Sequence, residues 1–334
     1  MNYYIIIYSL LIFFLLLTFA KISYILNLVD LPNKRKVHSI PTANTGGVAI
    51  SVCLLFALQE LDIFDKSLAL ILSIGFMISI VGFIDDKFGL NIGGKLSLQI
   101  IPVFYLIVFE KLSLNHIGDY DYFKLELGTF MMPFTLLCVL FLTNSFNYFD
   151  GMDGTLILTT TSVLAILYFL APYDNFKIFL LIILIPISIF LLFNFSIFKL
   201  PKLFLGDSGS LMFGFIISFI LIYLAKQNFV HPILLAWSVS IFVYEFLSVN
   251  ILRLKNKQNV FKAGKDHLHH ILYVKTKSIF LTNFLISITN IFLFTIGYFS
   301  FSLFNPLVSL ILFTLLFIIF LYLRNIFNKN KKIR

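Results

Sequence analysis

Seven aspartates and a cluster of histidines pose the chemical question in this chain. They fall in five short polar stretches: DLPNKRKVHSIPTANTGG at 30–47, GFIDDKFGL at 82–90, NSFNYFDGMDGT at 144–155, LGDSGS at 205–210 and RLKNKQNVFKAGKDHLHHIL at 253–272. Short, stiff carboxylates gathered with amides and glycines suit a hard divalent cation, a phosphate, or both. Asn147, Asp150 and Asp153 are spaced by three, so on a continuous helical turn they would share one oxygen-rich face. Such a face suits Mg2+, which takes a few carboxylate or amide oxygens and leaves room for phosphate and water. Adjacent Asp85 and Asp86 repel each other at a helix end and call for a cation or a proton to relieve them. The Gly-Asp-Ser-Gly-Ser turn at 206–210 offers a carboxylate and backbone N–H groups just ahead of a helix, a setting for a metal-bound phosphate.

Each stretch also has a plainer reading. Lys34, Arg35 and Lys36 can serve as a basic anchor at a membrane surface. Beside His38 and the Gly46 and Gly47 pair, which permits close approach of another group, they read as a site for an anion. His267, His269 and His270 invite zinc, but the chain has no HExxH and no cysteine partner for them. Among so many lysines they are expected to bind phosphate or move protons. Paired aspartates can be a solvated helix end, and serine or aspartate ahead of a helix is a common cap. The weight lies in all five stretches falling on one side of the same bundle.

That bundle follows from composition. Of 334 residues, 60% are hydrophobic and 12% charged, with a mean hydropathy of +0.98. A soluble protein would carry roughly twice that charge fraction. The apolar residues come in blocks near the ~20 residues that a helix needs to cross a bilayer. The alternating ~10-residue segments of an outer-membrane barrel are absent. The pattern predicts an all-α polytopic membrane protein, one domain over 1–334, with eleven helices near 3–26, 46–62, 67–84, 96–110, 129–146, 155–171, 176–198, 210–225, 232–252, 280–300 and 304–325. The N-terminal run has no basic residue before it and no small-residue cleavage site, so it reads as a retained helix. Cys53 and Cys138 lie inside apolar blocks and read as core.

An odd number of spans puts the termini on opposite faces. Joins after odd-numbered helices, with the C-terminal tail, hold 20 of the 25 Lys and Arg residues. The positive-inside rule then predicts an outward N-terminus and a cytoplasmic C-terminus. The same division places Asp30, Asp85, Asp86, Asp150, Asp153, Asp207 and Asp266 together on the cytoplasmic side. The expected active-site loops lie near 27–45, 85–95, 144–154, 199–209 and 253–279.

In this order and on this face, DxPxxRKxH…GG, the Asp-Asp pair, NxxNxxDGxDG, GDxGS and HxHH resemble the polyprenyl-phosphate N-acetylhexosamine-1-phosphate transferases, over residues 30 to 272. The resemblance implies a bacterial inner-membrane enzyme of ten or eleven helices. It would transfer a sugar-1-phosphate from a UDP-sugar to undecaprenyl phosphate, release UMP and use Mg2+ or Mn2+. The product would start an O-antigen, capsule or teichoic-acid type of glycan. The branch that transfers phospho-MurNAc-pentapeptide usually has three consecutive histidines, unlike HLHH at 267–270, and stands as the alternative.

Carried over by position, Asn147 and Asp207 match residues tied to the metal. Asp85, with Asp86 beside it, matches the aspartate that engages the lipid phosphate. Asp85, Asp86, Asp207 and His269 form the expected catalytic set. Lys36, His38, Asp150, Asp153, Arg253, His267 and His270 are the expected substrate-binding set. Ala43, Asn44, Glu245 and Leu254 depart from the common pattern of the family. The partners implied are undecaprenyl phosphate, a UDP-sugar and the bilayer, with no nucleic acid, and a homodimer is left open. The expected chemistry is a single displacement by the lipid phosphate. A phosphate monoester is largely ionised at neutral pH, with a second pKa near ~6, so Asp85 need only orient it. A double displacement through an aspartyl-phosphate is the alternative. The rival from another class, a transporter for an anionic solute, would place ionisable groups near the bilayer midplane. Glu245 is the one acid well inside a predicted helix.

Overall fold

The computed structural model describes residues 2–31, 41–60, 65–260, 264 and 266–332. Its helices are α1 Asn2–Ile25, α2 Gly46–Glu60, α3 Lys66–Phe88, α4 Ile92–Val108, α5 Met131–Phe149, α6 Thr155–Phe169 and α7 Asp174–Asn194. They continue with α8 Gly206–Lys226, α9 Pro232–Ser238, α10 Ser240–Lys255, α11 Leu268–Thr276, α12 Ile279–Leu303 and α13 Pro306–Lys332. Two short 3-10 turns, Gly128–Phe130 and Ile197–Lys199, and two small antiparallel pairs complete the elements: β1 Val29–Asp30 pairs with β2 Thr42–Ala43, and β3 His116–Asp119 with β4 Lys124–Glu126.

Seven helices are long and apolar enough to cross a membrane, and α9 with α10 forms an eighth candidate bent by 74°. Helices α2, α4 and α6 are apolar but shorter. The chain is therefore an all-α, multi-pass membrane protein. Each predicted apolar segment coincides with a helix, and three features go beyond that reading. The ninth segment breaks at Val239, the fifth polar stretch contains the short helix α11, and the paired strands carry no strand pattern in the sequence.

The break has no proline or glycine at it; a neighbouring side chain makes it tolerable. Asn290 of α12 donates through Nδ2 to the Ser238 carbonyl (3.0 Å), and its Oδ1 accepts from the Ile241 N–H (3.3 Å). Backbone groups freed inside a bilayer need such partners, because water is not there to supply them.

Helix α8 is the hub, with 18 of its 21 residues buried. Backbones approach it closely where the sequence supplies glycine. A Cβ on Gly47 would lie 2.1 Å from the Gly209 nitrogen, and one on Gly82 would lie 2.4 Å from the Ser208 nitrogen. The group that Gly47 admits is thus the backbone of α8, the small-residue packing that membrane helices favour. The α1–α2 join is stitched to the α7–α8 join as well. Phe204 N donates to Ala43 O (2.8 Å), Gly46 N to Phe204 O (3.0 Å) and Gly47 N to Leu205 O (2.9 Å). These contacts draw the α1–α2 join, the end of α3 and the start of α8 together at one end of the bundle. Lys36 and His38 lie outside the described residues.

Candidate active site

Helix α3 runs one turn past its predicted end, so Asp85 and Asp86 sit on its last turn, before the left-handed cap Gly89 (φ 63°). Asp85 Oδ1 accepts from Leu90 N (2.8 Å), and its Oδ2 meets Lys95 Nζ at 2.8 Å. Lys95 enters from the first turn of α4, which Asn91 caps by accepting from Gly94 N. The same ammonium group bonds Asp207 Oδ2. Asp207 Oδ1 accepts from Asn147 Nδ2 (2.8 Å), which also reaches Ser210 Oγ (2.9 Å).

Asp86 faces the other way. It accepts from Asn44 Nδ2 (2.9 Å), Asp207 N (3.2 Å) and Ser208 N (3.3 Å), and so caps the N-terminus of α8 from a different helix. Such a position lets the carboxylate meet the positive end of the helix dipole. Gly206, at φ +74°, leaves no room for a side chain: a Cβ there would lie 2.6 Å from Asp86 Oδ2.

The stretch from Asn147 to Asp153 does not continue as a helix. Asp150 ends α5 with φ −83° and ψ 52°, and Gly154 (φ 74°) starts α6. The three oxygen-bearing residues therefore do not share one helical face; Asn147 turns to Asp207, while Asp150 and Asp153 reach a cavity from the turn. Asp153 Oδ2 pairs with Lys202 Nζ at 2.6 Å. Its carbonyl accepts from Asn283 Nδ2 (2.7 Å), and Asn283 Oδ1 accepts from Thr155 Oγ1 (2.7 Å). Helix α12 thereby fixes the turn.

The cavity has a volume of about 470 Å3. Asp86, Asp150, Asp153 and Asp207 line it, with Asp30, Asn44, Lys202 and His270. Burial pushes the Asp150 carboxyl well above the usual range, and the charges of Asp207, Asp86, Asp153 and Asp30 push it further. Like charges are crowded here, as at sites that await a cation.

The histidine stretch closes one side. His267 is the N-cap residue of α11, its Nδ1 3.4 Å from Glu245 Oε1. His269 is buried against Gly151, where a Cβ would lie 2.5 Å from its Nε2, and that nitrogen has no hydrogen-bond partner among the described residues. Burial, then the charges of His270 and His267, lower its pKa well below the ordinary histidine value. Arg253 is buried and committed to its own loop: Nε and Nη2 grip Asp266 (2.9 and 2.7 Å), and Nη1 donates to Val260 O (2.7 Å). Despite burial of Asp266, this bidentate grip holds its carboxyl below the usual range.

Of the predicted site residues, Asp86, Asp150, Asp153, Asp207 and His270 share one cavity. Asp85 and Asn147 adjoin it through Lys95 and Asp207. His269 backs the aspartate turn, and His267 and Arg253 hold the histidine stretch in place. Sequence reasoning missed Lys95, Asn44, Lys202 and Ser210. Lys95 had one usable signal: it is a single charged residue in the otherwise uncharged α4.

The match to known proteins covers this same region. Undecaprenyl-phosphate alpha-N-acetylglucosaminyl 1-phosphate transferase of Escherichia coli (strain K12) is 27% identical, over 77% of this chain and 72% of its own. The probable undecaprenyl-phosphate N-acetylglucosaminyl 1-phosphate transferase of Bacillus subtilis (strain 168) is 29% identical, over 82% of this chain and 79% of its own. A Salmonella typhi protein with the same name as the Escherichia coli one is 26% identical, over 75% and 71%. The model of "Glycosyl transferase family 4" matches residues 68–225, which run from the first turn of α3 to the end of α8 and include Asp85, Asp86, Lys95, Asn147, Asp150, Asp153 and Asp207. Over these residues the chain is similar to glycosyl transferase family 4.

Proposed function

We propose that this chain transfers a HexNAc 1-phosphate, or a related sugar-1-phosphate, from a UDP-sugar to undecaprenyl phosphate, releasing UMP and starting a lipid-linked cell-surface glycan. The observation that carries this reading is the cavity of aspartates built from helix ends at one end of a membrane bundle. A polyprenyl phosphate keeps its tail in the bilayer and its head at the edge, while a nucleotide sugar arrives from water. Helix ends are where both can be held. The names of the relatives support the same reaction.

All eleven apolar segments serve as spans in this reading. The acid-rich end then faces the cytoplasm of a bacterial inner membrane, supported by the basic residues gathered on that side.

Joining two phosphate-bearing substrates brings several negative charges together, so the main task is neutralisation and alignment. Among the described residues no three His, Cys, Asp or Glu side chains converge as a ready-made metal cage. The donor chemistry nevertheless fits Mg2+, which is commonly held by one or two carboxylates while phosphate and water fill the remaining positions. The place that Lys95 takes between Asp85 and Asp207 supports this fit, since it brings a cation to both carboxylates. Asp207 would hold the ion, with Asn147 at its side. When bound, Mg2+ supplies charge neutralisation for the diphosphate.

The chain's own groups do the rest. Asp85, held by Leu90 N and Lys95, orients the acceptor phosphate at the end of α3. An oxygen of that phosphate attacks the β-phosphorus of the donor; a P–O bond forms, and the bond to the UMP oxygen breaks. Lys95 contributes fixed positive charge beside that exchange. Asp86 sets the first turn of α8 and hence the direction of Asp207. Lys202 and His270 meet the donor from the cavity wall.

The test is UMP release by the purified protein with undecaprenyl phosphate, Mg2+ and a panel of UDP-HexNAc donors. Release is expected to need the lipid, to stop with EDTA, and to fall about 10^3-fold in Asp207→Asn. Release without lipid, or an Asp207→Asn variant as active as the parent, rejects the reading.

A further inference from the structure

We propose that Arg324 is a positioning residue for the histidine helix α11, acting through Glu245. The proposal deepens the transferase reading above and rests on it for the meaning of the site.

A single arginine near the end of an apolar helix would ordinarily extend its head toward lipid headgroups and water. Arg324 does the opposite. Its residue is 4% exposed and its guanidinium turns inward from α13. Nη1 and Nη2 both engage the carboxylate of Glu245 on α10, itself 1% exposed, with Nη2 3.1 Å from Oε1.

The contacts do not stop at the pair. Glu245 Oε1 also accepts from Leu268 N (3.0 Å), the first residue of α11, and stands 3.4 Å from His267 Nδ1. A carboxylate at a helix N-terminus fits both the free N–H groups and the dipole there. Arg324 Nη2 makes a second bond to the Asp266 carbonyl. One guanidinium thus holds the chain just before α11 directly and the start of α11 through Glu245. A pair that merely pinned α13 to α10 would have no reason to reach Asp266 and Leu268.

What α11 carries gives the anchor its consequence. His269 seats on Gly151, inside the turn that bears Asp150 and Asp153, and His270 lines the cavity. A shift of α11 along its axis would move both rings relative to that turn. Without the guanidinium, Glu245 would be a buried charge left with the Leu268 N–H and His267, and the site would respond by protonation or by displacement of α11.

The test replaces the pair by apolar residues of similar size, Glu245→Leu with Arg324→Met. Replacing both members of a buried pair is often neutral or stabilising, so melting of the detergent-solubilised protein is expected to hold. Amide hydrogen exchange over 268–276 is expected to quicken about tenfold. The KM for the UDP-sugar is expected to rise about tenfold, with the KM for undecaprenyl phosphate unchanged. Parent-like exchange in α11 and a parent-like donor KM overturn the proposal. Should the double variant fail to fold, Arg324→Lys decides. It keeps a charge opposite Glu245 but loses the fork that spans Glu245 and Asp266, and it is expected to move both readouts the same way by less. Parent-like values in that variant overturn the proposal. If the parent itself releases no UMP from any donor, the transferase reading fails. Exchange in α11 still decides the role of Arg324.

Discussion

At the end of the bundle away from the cavity, Asp65 caps its own helix through Leu68 N (2.8 Å) and takes the Tyr223 hydroxyl, while Glu110 meets Lys66 at 2.9 Å. At the cavity end, Asp86, Asp150, Asp153 and Asp207 surround one space, with Lys95 and Lys202 as the ammonium groups bonded to its carboxylates. The first arrangement matches each acid to a local partner and serves the fold. The second leaves carboxylate charge in excess, which costs stability, the kind of cost found at functional sites. Stability and activity should therefore separate when residues at the two ends are changed.

After Asp207, the largest effect is expected at Lys95. Lys95→Met removes the cation shared by Asp85 and Asp207, and UMP release should fall about 10^2- to 10^3-fold, with Lys95→Arg recovering part of it. Steady-state kinetics on both variants checks this; a fully active Lys95→Met would place the ammonium outside the reaction.

Asp150→Asn is the next test, and its sign is opposite for stability and activity. The folded Asp150 carboxyl titrates above its unfolded value, so the folded protein keeps a proton that the unfolded chain has released. Its contribution is thus lost as pH rises from about 4 through the folded-state value, and stays lost above it. Asn has no such loss. Asp150→Asn should melt higher than the parent at pH 7–8, by a margin that shrinks toward pH 4, and should release less UMP. Equal melting curves across that range would mean that the crowding of charge at the cavity carries no penalty.

The smallest effect belongs to the opposite end. Tyr223→Phe removes the bonds to Asp65 and to the Tyr173 hydroxyl (2.9 Å) and should lower stability by about 1 kcal/mol while leaving UMP release unchanged. A loss of activity there would tie the two ends together and break the contrast.

Much of the acid-rich end was legible from short segments, because aspartate, glycine and histidine stand out against apolar helices and their spacing is local. Asp85, Asp86, Asp150, Asp153, Asp207 and His270 needed only that contrast. Lys95, Asn44 and Lys202 did not stand out, because their roles arise from contacts between segments far apart in the chain. Lys95 meets Asp207 across 112 residues, and Lys202 meets Asp153 across 49. The gross pattern of apolar segments was equally readable from hydropathy. The break at Val239 was not, since no local breaker marks it and the compensating groups sit on Asn290. Helix α11 has no sequence signature of its own, because its nine residues are too short for a hydropathy signal and its start depends on Glu245.

The order of synthesis gives the stitched joins and the Arg324 contact one more meaning. A nascent chain that has emerged as far as Asp207 already holds Asp30, Asp85, Asp86, Asp150 and Asp153, and can close the Ala43 to Phe204 stitch. The histidines follow about sixty residues later, and the guanidinium that sets them another 58 residues after Asp266. Domains form in step with translation, N-terminal parts first. Insertion of α13 then sets the histidine wall after the acidic cavity has formed, so a chain halted before Arg324 would carry that cavity with its wall unset.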